Sequence, residues 1–301
     1  MNEQFATVGD LNLCYETFGD SGDPALLLIM GLATQMLGWN EDFCRQLADR
    51  GFFVIRFDNR DIGRSTRLDS VPPPKPVELL TRRLKRVPYT LNDMADDAAG
   101  LLDALGIDRA HVVGASMGGM IAQSLAARRP ERVRSLVSIM STTGNRFRGQ
   151  PALRVYPSFL ARPPRTKEES VERIIRLFKI VGSPGFERDE AELRAMTAAS
   201  WDRGHSPAGP GRQIAAIIAS GDRTPDVRRI TAPTLVIHGT KDRLVRPSGG
   251  RATAKAIPGA RLLMIDGMGH DLPPGAWPRI LDAIAENAAR AGDPSGQRAA
   301  A

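Results

Sequence analysis

At 301 residues, with 42% hydrophobic and 25% charged residues, the chain has the composition of a globular protein with a sizeable core, long enough for one domain or two. The formal net charge is +7, but the basic residues are mostly arginine, spread along the chain without interleaved aromatics, so no nucleic-acid partner is expected. No apolar run approaches the ~18 residues of a membrane span and no basic-then-apolar leader opens the sequence, so no membrane association and a cytoplasmic location are expected. Cys14 and Cys44 belong to no CxxC or histidine-containing cluster, which argues against a metal site or a disulfide framework. Both are expected to be buried fillers.

The first element, over 7–19, turns at Gly9-Asp10, and Leu11, Leu13 and Tyr15 then alternate with polar residues, as in a half-buried hairpin strand. The runs 25–30 and, apart from Arg56, 52–57 are apolar, the pattern of strands covered on both faces in a parallel sheet. Helical spacing appears at 41–49 through Phe43 and Leu47, and at 91–105 through Leu91, Met94, Leu101, Leu102 and Leu105, closed by Gly106. Between these, the proline-rich stretch 72–76 leads to Arg82, Arg83, Lys85 and Arg86, read as a solvated loop or short helix. Strands follow at 110–114, 134–140, 233–238 and 261–265, with helices at 120–129, stopped by Pro130, and at 277–290. Strands separated by helices predict a parallel sheet with right-handed crossovers.

The interval 141–231 breaks this rhythm, with no strand but with helical stretches at 167–181, 187–200 and 211–219. It is too long for an ordinary loop and reads as a helical cap inserted over the strand ends. The expected organisation is a core of 1–140 and 232–293, a cap of 141–231, and a frayed tail of small and polar residues at 294–301.

Directly behind the strand Ala110-His111-Val112-Val113 stands Gly114-Ala115-Ser116-Met117-Gly118, followed by a helix. A serine between two glycines at a strand-to-helix turn is the nucleophile-elbow pattern, in which a Cβ at either glycine would collide with a neighbouring element. A serine hydroxyl is a weak nucleophile at neutral pH, so it needs a histidine base, and the base needs a carboxylate to fix its tautomer. The chain has four histidines. His111 lies within the strand that delivers Ser116, His205 in the cap, and His238 at a strand end. His270 remains, in the loop Gly267-Met268-Gly269-His270 after the last strand, where an imidazole can be laid over the serine.

Asp242 follows the strand at 233–238 and completes the order serine, acid, histidine. One strand earlier, Ser141-Thr142-Thr143-Gly144 offers no carboxylate, while Asp266 and Asp271 stand too close to His270 along the chain to orient it easily. The oxyanion formed by attack on a carbonyl needs donors already in place. Met117 N–H, at the helix start, is one. Leu32 N–H is the other, on the expectation that Gly31 lets the backbone turn and expose it.

On these residues the chain resembles the α/β-hydrolase superfamily throughout. Within it, Met30-Gly31 through Leu37-Gly38-Trp39, Leu47-Ala48-Asp49-Arg50-Gly51, Arg56-Phe57-Asp58-Asn59-Arg60-Asp61-Ile62-Gly63-Arg64-Ser65-Thr66, the Ser116 elbow and the His270 loop are similar to the aclacinomycin methylesterase group. The resemblance implies an α/β fold with a mostly parallel eight-stranded sheet flanked by helices, the cap inserted after the sixth strand. It further implies a cofactor-free serine hydrolase that cleaves a carboxylic ester of a small molecule through an acyl-enzyme. Lactone hydrolysis and carbon-carbon bond hydrolysis use the same triad, and a ligand-binding receptor of the same fold is the alternative from another class.

The chain departs from that group where Gly31-Leu32 replaces Gly-Gly, which leaves the donor in place but narrows the pocket floor. Asp58, Arg60 and Gly63 are expected to brace the oxyanion loop. Trp39, Trp201 and His205 are the candidate substrate contacts.

Overall fold

The computed structural model describes residues 2–160 and 162–292; the tail expected at 294–301 lies outside them. The hairpin of β1 (Gln4–Val8) and β2 (Leu11–Phe18) leads to β3 (Ala25–Ile29), α1 (Glu41–Ala48), β4 (Phe53–Phe57), α2 (Pro76–Thr81) and α3 (Leu91–Ala104). Then come β5 (Ala110–Ala115), α4 (Met117–Arg128) and β6 (Val133–Ile139). Between β6 and β7 (Thr234–Gly239) the described residues form no strand. They form α5 (Tyr156–Leu160), α6 (Lys167–Val181), α7 (Glu190–Arg203), α8 (Gly209–Ser220) and α9 (Thr224–Val227). The chain closes with α10 (Pro247–Ala256), β8 (Arg261–Ile265) and α11 (Trp277–Ala289).

The eight strands make one sheet in the order β1-β2-β4-β3-β5-β6-β7-β8. β2 runs antiparallel to both β1 and β4, and every pairing from β4 to β8 is parallel. The apolar run in β3 is explained by burial on both faces. Leu27 and Ile29 enter the core under α3 and α4 with Leu102 and Ile121, while Leu26 and Leu28 enter the core under α1 and α11 with Phe43, Leu47 and Ile280. Because β3 lies between β4 and β5, the chain leaves it toward one edge and returns to its other side. The crevice at the carboxyl ends of β3 and β5 is therefore a topological switch point, the place where such sheets hold ligands.

One helix starts earlier than expected. The helix read from residue 120 starts at Met117, because Gly118 and Gly119 lack helical propensity but are needed where the helix touches the sheet. The proline-rich, basic stretch contains the short helix α2, which ends at Arg82 in the left-handed conformation, φ 56°. Among the described residues, no helix is long and apolar enough to cross a membrane.

The helical insertion is tied to the sheet by buried ion pairs. Arg212 of α8 grips both carboxylate oxygens of Asp61, and both side chains are fully buried. Arg203, at the end of α7, binds Asp58 and Glu3.

His111, inside β5, is a packing group, bonded through Nδ1 to Ser135 Oγ at 2.8 Å. Burial, reinforced by the charges of Arg134 and Arg109, lowers its pKa from 6.5 to about 4. The unfolded chain therefore binds a proton here that the folded protein refuses, and stability falls as pH drops through that window. Wild type is expected to lose about 3 kcal/mol between pH 6.5 and 4 from this group, and His111→Gln to lose that slope in urea titrations across the window. Parallel pH profiles for the two proteins would remove His111 as the cause.

Candidate active site

Ser116 ends the turn out of β5 with φ 56° and ψ −118°, an unusual conformation for a residue with a side chain. Such a residue costs about 1–3 kcal/mol and persists only where packing dictates it. Here packing does so from both sides. A Cβ on Gly114 would stand 2.2 Å from Gly118 O, and one on Gly118 would stand 2.0 Å from Ile29 O. The Ser116 N–H donates to Ile139 O at 2.9 Å, which pins the turn to β6.

The loop after β8 brings His270 Nε2 to 2.9 Å from Ser116 Oγ, and His270 Nδ1 lies 2.8 Å from Asp242 Oδ2. Asp242 is 2% exposed and its other oxygen accepts the N–H groups of Leu244 and Val245, each at 2.9 Å. Burial raises its pKa, but the imidazoles of His270 and His238 outweigh burial and hold the carboxyl below the usual carboxylate range. Asp242 is thus an anion placed to accept a hydrogen bond from a proton on His270 Nδ1, and in that tautomer Nε2 is the acceptor that faces Ser116 Oγ. The two carboxylates set aside in the sequence face elsewhere: Asp266 accepts Thr240 Oγ1, and Asp271 accepts Ser183.

Three contacts at this site were not read from the sequence. His238, fully buried, places Nε2 2.8 Å from Val245 O and 3.4 Å from Asp242 Oδ2, so it supports the turn that carries the acid. Its spacing of four residues from Asp242 was the available signal. Ser183, just past α6, donates to Asp271 and accepts Gly269 N–H at 2.8 Å, while His270 N–H donates to Val181 O at 2.7 Å. The insertion therefore grips the histidine loop from above. The third is Gln213 of α8, whose Oε1 accepts Ala33 N–H at 2.9 Å.

On the oxyanion side, Thr34 N–H donates to Gly31 O at 3.4 Å and Ala33 N–H is taken by Gln213. Leu32 N–H has no acceptor among the described residues. Met117 N–H, on the first residue of α4, has no partner one turn back. The role expected of Gly31 needs correction. Its own φ lies outside the left-handed region, and the turn is made at Ala33, φ 58°. A side chain at 31 is disfavoured by proximity, since a Cβ there would lie 3.1 Å from Ser116 Cβ.

Asp58 braces this loop by accepting Met36 N–H at 2.8 Å, and Asn59 Nδ2 donates to Met30 O at 2.9 Å. Arg60 pairs with Asp97, and a Cβ on Gly63 would strike Asp58. Trp39 is not where a substrate contact was expected. It is 0% exposed and stacks on Phe43 at 5.7 Å between ring centroids, inside the core beside α1. Trp201 and His205 stack on each other at 3.8 Å, next to the backbone of Ser200 and Gly204 that accepts Gln35 Nε2. Among the described residues, no group of three or more His, Cys, Asp or Glu is placed to hold a metal ion.

Residues 24–273 match the model of the α/β hydrolase fold family. The chain belongs to that family. It is 32% identical over 296 residues to rhodomycin D methylesterase of Streptomyces sp. (strain C5) and 31% identical to that of Streptomyces peucetius, in each case covering 91% of this chain and 93% of the relative. These matches bear out the methylesterase likeness read from the sequence. Among solved structures, the enol-lactonase from Burkholderia xenovorans LB400 superposes with a TM-score of 0.75 at 25% identity, covering 94% of this chain and 99% of the other.

Proposed function

We propose that this α/β hydrolase cleaves carboxylic esters of small molecules through an acyl-enzyme, with Ser116 as nucleophile, His270 as base and then acid, and Asp242 as the group that orients the imidazole. The observation that carries this reading is the unbroken relay from Ser116 Oγ through His270 to the buried Asp242. As Oγ attacks the carbonyl carbon, His270 Nε2 takes its proton, and the charge that develops on the carbonyl oxygen is met by the N–H groups of Leu32 and Met117. His270 then gives the proton to the departing alkoxide. Water, activated by the same imidazole, releases the acid and returns Ser116 to its starting state. Every step uses groups of this chain and water.

The methylesterase relatives support a methyl ester as the substrate, with residues 141–231 acting as the cap over the acyl portion. The likeness to an enol-lactonase favours a second reading on the same residues, because a lactone is an ester whose leaving alkoxide stays attached to the acyl group. A panel of aromatic-acid methyl esters, aryl acetates and enol-lactones separates the two. Methyl esters are expected to give the highest kcat/KM. A lactone turned over ten times faster than any open ester replaces the first reading with the second, and no turnover of any member by protein with a reactive Ser116 overturns both.

A further inference from the structure

We propose that Gln213, carried on the helical insertion, is a positioning residue for the oxyanion hole, holding the loop after β3 so that Leu32 N–H stays available to the reacting carbonyl oxygen. The inference rests on the serine-hydrolase reading above and extends it to a residue outside the triad and the donors. Gln213 is 0% exposed, and its carboxamide has both ends engaged: Oε1 accepts Ala33 N–H at 2.9 Å and Nε2 donates to Arg60 O at 3.0 Å. Its neighbour Arg212 is locked onto Asp61, so consecutive residues of α8 are fixed to consecutive residues of the turn after β4. The carboxamide is therefore a strut between two core loops, anchored in a helix that cannot shift without breaking a buried ion pair.

The loop needs such a strut because Ala33 sits at φ 58°, where a residue with a Cβ is disfavoured and would relax to negative φ if released. The hydrogen bond from Ala33 fixes the peptide plane between Leu32 and Ala33. The plane on the other side of Leu32 is held where Gly31 O accepts Thr34 N–H at 3.4 Å. With both flanking planes held, Leu32 has no freedom to swing its N–H away. The bond to Gln213 also occupies the rival amide, leaving one donor from this loop instead of two competing ones. A preorganised donor contributes most when charge appears on the carbonyl oxygen, so the effect belongs to kcat rather than to ground-state binding.

Gln213→Met keeps the length and apolar bulk of the side chain but removes both the acceptor for Ala33 N–H and the donor to Arg60 O. It is expected to lower kcat about 10- to 100-fold with KM changed less than about threefold, and to weaken a boronic acid that forms a tetrahedral adduct on Ser116 by the same factor as kcat. Adding Ala33→Gly is expected to restore at least about threefold of the lost kcat, because glycine adopts positive φ without the side-chain penalty. A stabilising role alone gives no such rescue. If Gln213→Met does not fold, hydrogen exchange on wild type decides: the Ala33 amide is expected to be strongly protected without ligand, and Leu32 to gain protection only with the boronate bound.

Unchanged kcat in folded Gln213→Met, a rise in KM alone, or fast exchange at Ala33 overturns the inference. Fluorophosphonate labelling of Ser116 in wild type tells this failure from that of the reading beneath it. An unlabelled Ser116 sinks the serine mechanism, whereas a labelled one with an indifferent Gln213 sinks only the strut.

Discussion

Ser116→Ala is expected to lower ester turnover by about 10⁵- to 10⁶-fold while leaving the protein folded. The loss is large because attack and acyl transfer both pass through one oxygen atom, and among the described residues Ser116 Oγ is the one hydroxyl hydrogen-bonded to His270 Nε2. The fold survives because the substitution keeps the Cβ. The positive φ at residue 116 is imposed by the contacts of Gly114 and Gly118 with neighbouring backbone, and neither depends on the hydroxyl. Residual turnover from the oxyanion donors and bound water is expected to remain above the uncatalysed rate. Steady-state kinetics with a methyl ester and mass-spectrometric mapping of fluorophosphonate adducts check this together. Activity within tenfold of wild type, or an adduct on a residue other than 116, would sink the assignment of the nucleophile.

The sheet was legible in the sequence because strands covered on both faces are predominantly apolar, and β3, β4, β5, β6 and β7 carry almost wholly buried residues. The grouping of Ser116, Asp242 and His270 was legible for a related reason. Ser116, Asp242 and His270 each stand just beyond the carboxyl end of a strand, so a parallel sheet brings them to one edge whatever the loops do.

What escaped reading was the set of polar contacts from the insertion. Gln213 meets Ala33 across 180 residues and Ser183 meets Gly269 across 86, and no periodicity within α8 or in the loop after α6 signals which polar side chain turns inward. Trp39 was misplaced because its nearness to the oxyanion loop in sequence suggests a pocket wall, whereas the short helical turn at Met36–Gly38 directs the indole under α1. The turn expected at Gly31 is made at Ala33. Glycine in a turn suggests positive φ, but at 31 it is the tight approach to Ser116 that disfavours a side chain.

Asp242→Asn is expected to cost about 10⁴-fold in kcat, with KM within a few-fold of wild type. The size follows from the hydrogen bonds around the carboxylate. Oδ1 accepts from the amides of Leu244 and Val245, so in the variant this position must remain an oxygen. The asparagine NH₂ is thereby directed at His270, at the place of Oδ2. An imidazole facing an N–H donor must accept through Nδ1, which puts its proton on Nε2, where it confronts the Ser116 hydroxyl with a donor instead of an acceptor. Geometry is retained and the tautomer is wrong. Labelling of Ser116 by a fluorophosphonate is expected to slow by a similar factor, since it needs the same proton acceptance. The stability comparison supplies a separate sign. Because the folded protein holds the Asp242 pKa below 3.8, the carboxylate contributes stability above that pH and loses it as pH falls through the folded value, so the wild-type advantage over the variant is expected to shrink in acid. A kcat loss under about 100-fold would show that His270 keeps its working tautomer without Asp242, and the acid would then have to be sought elsewhere.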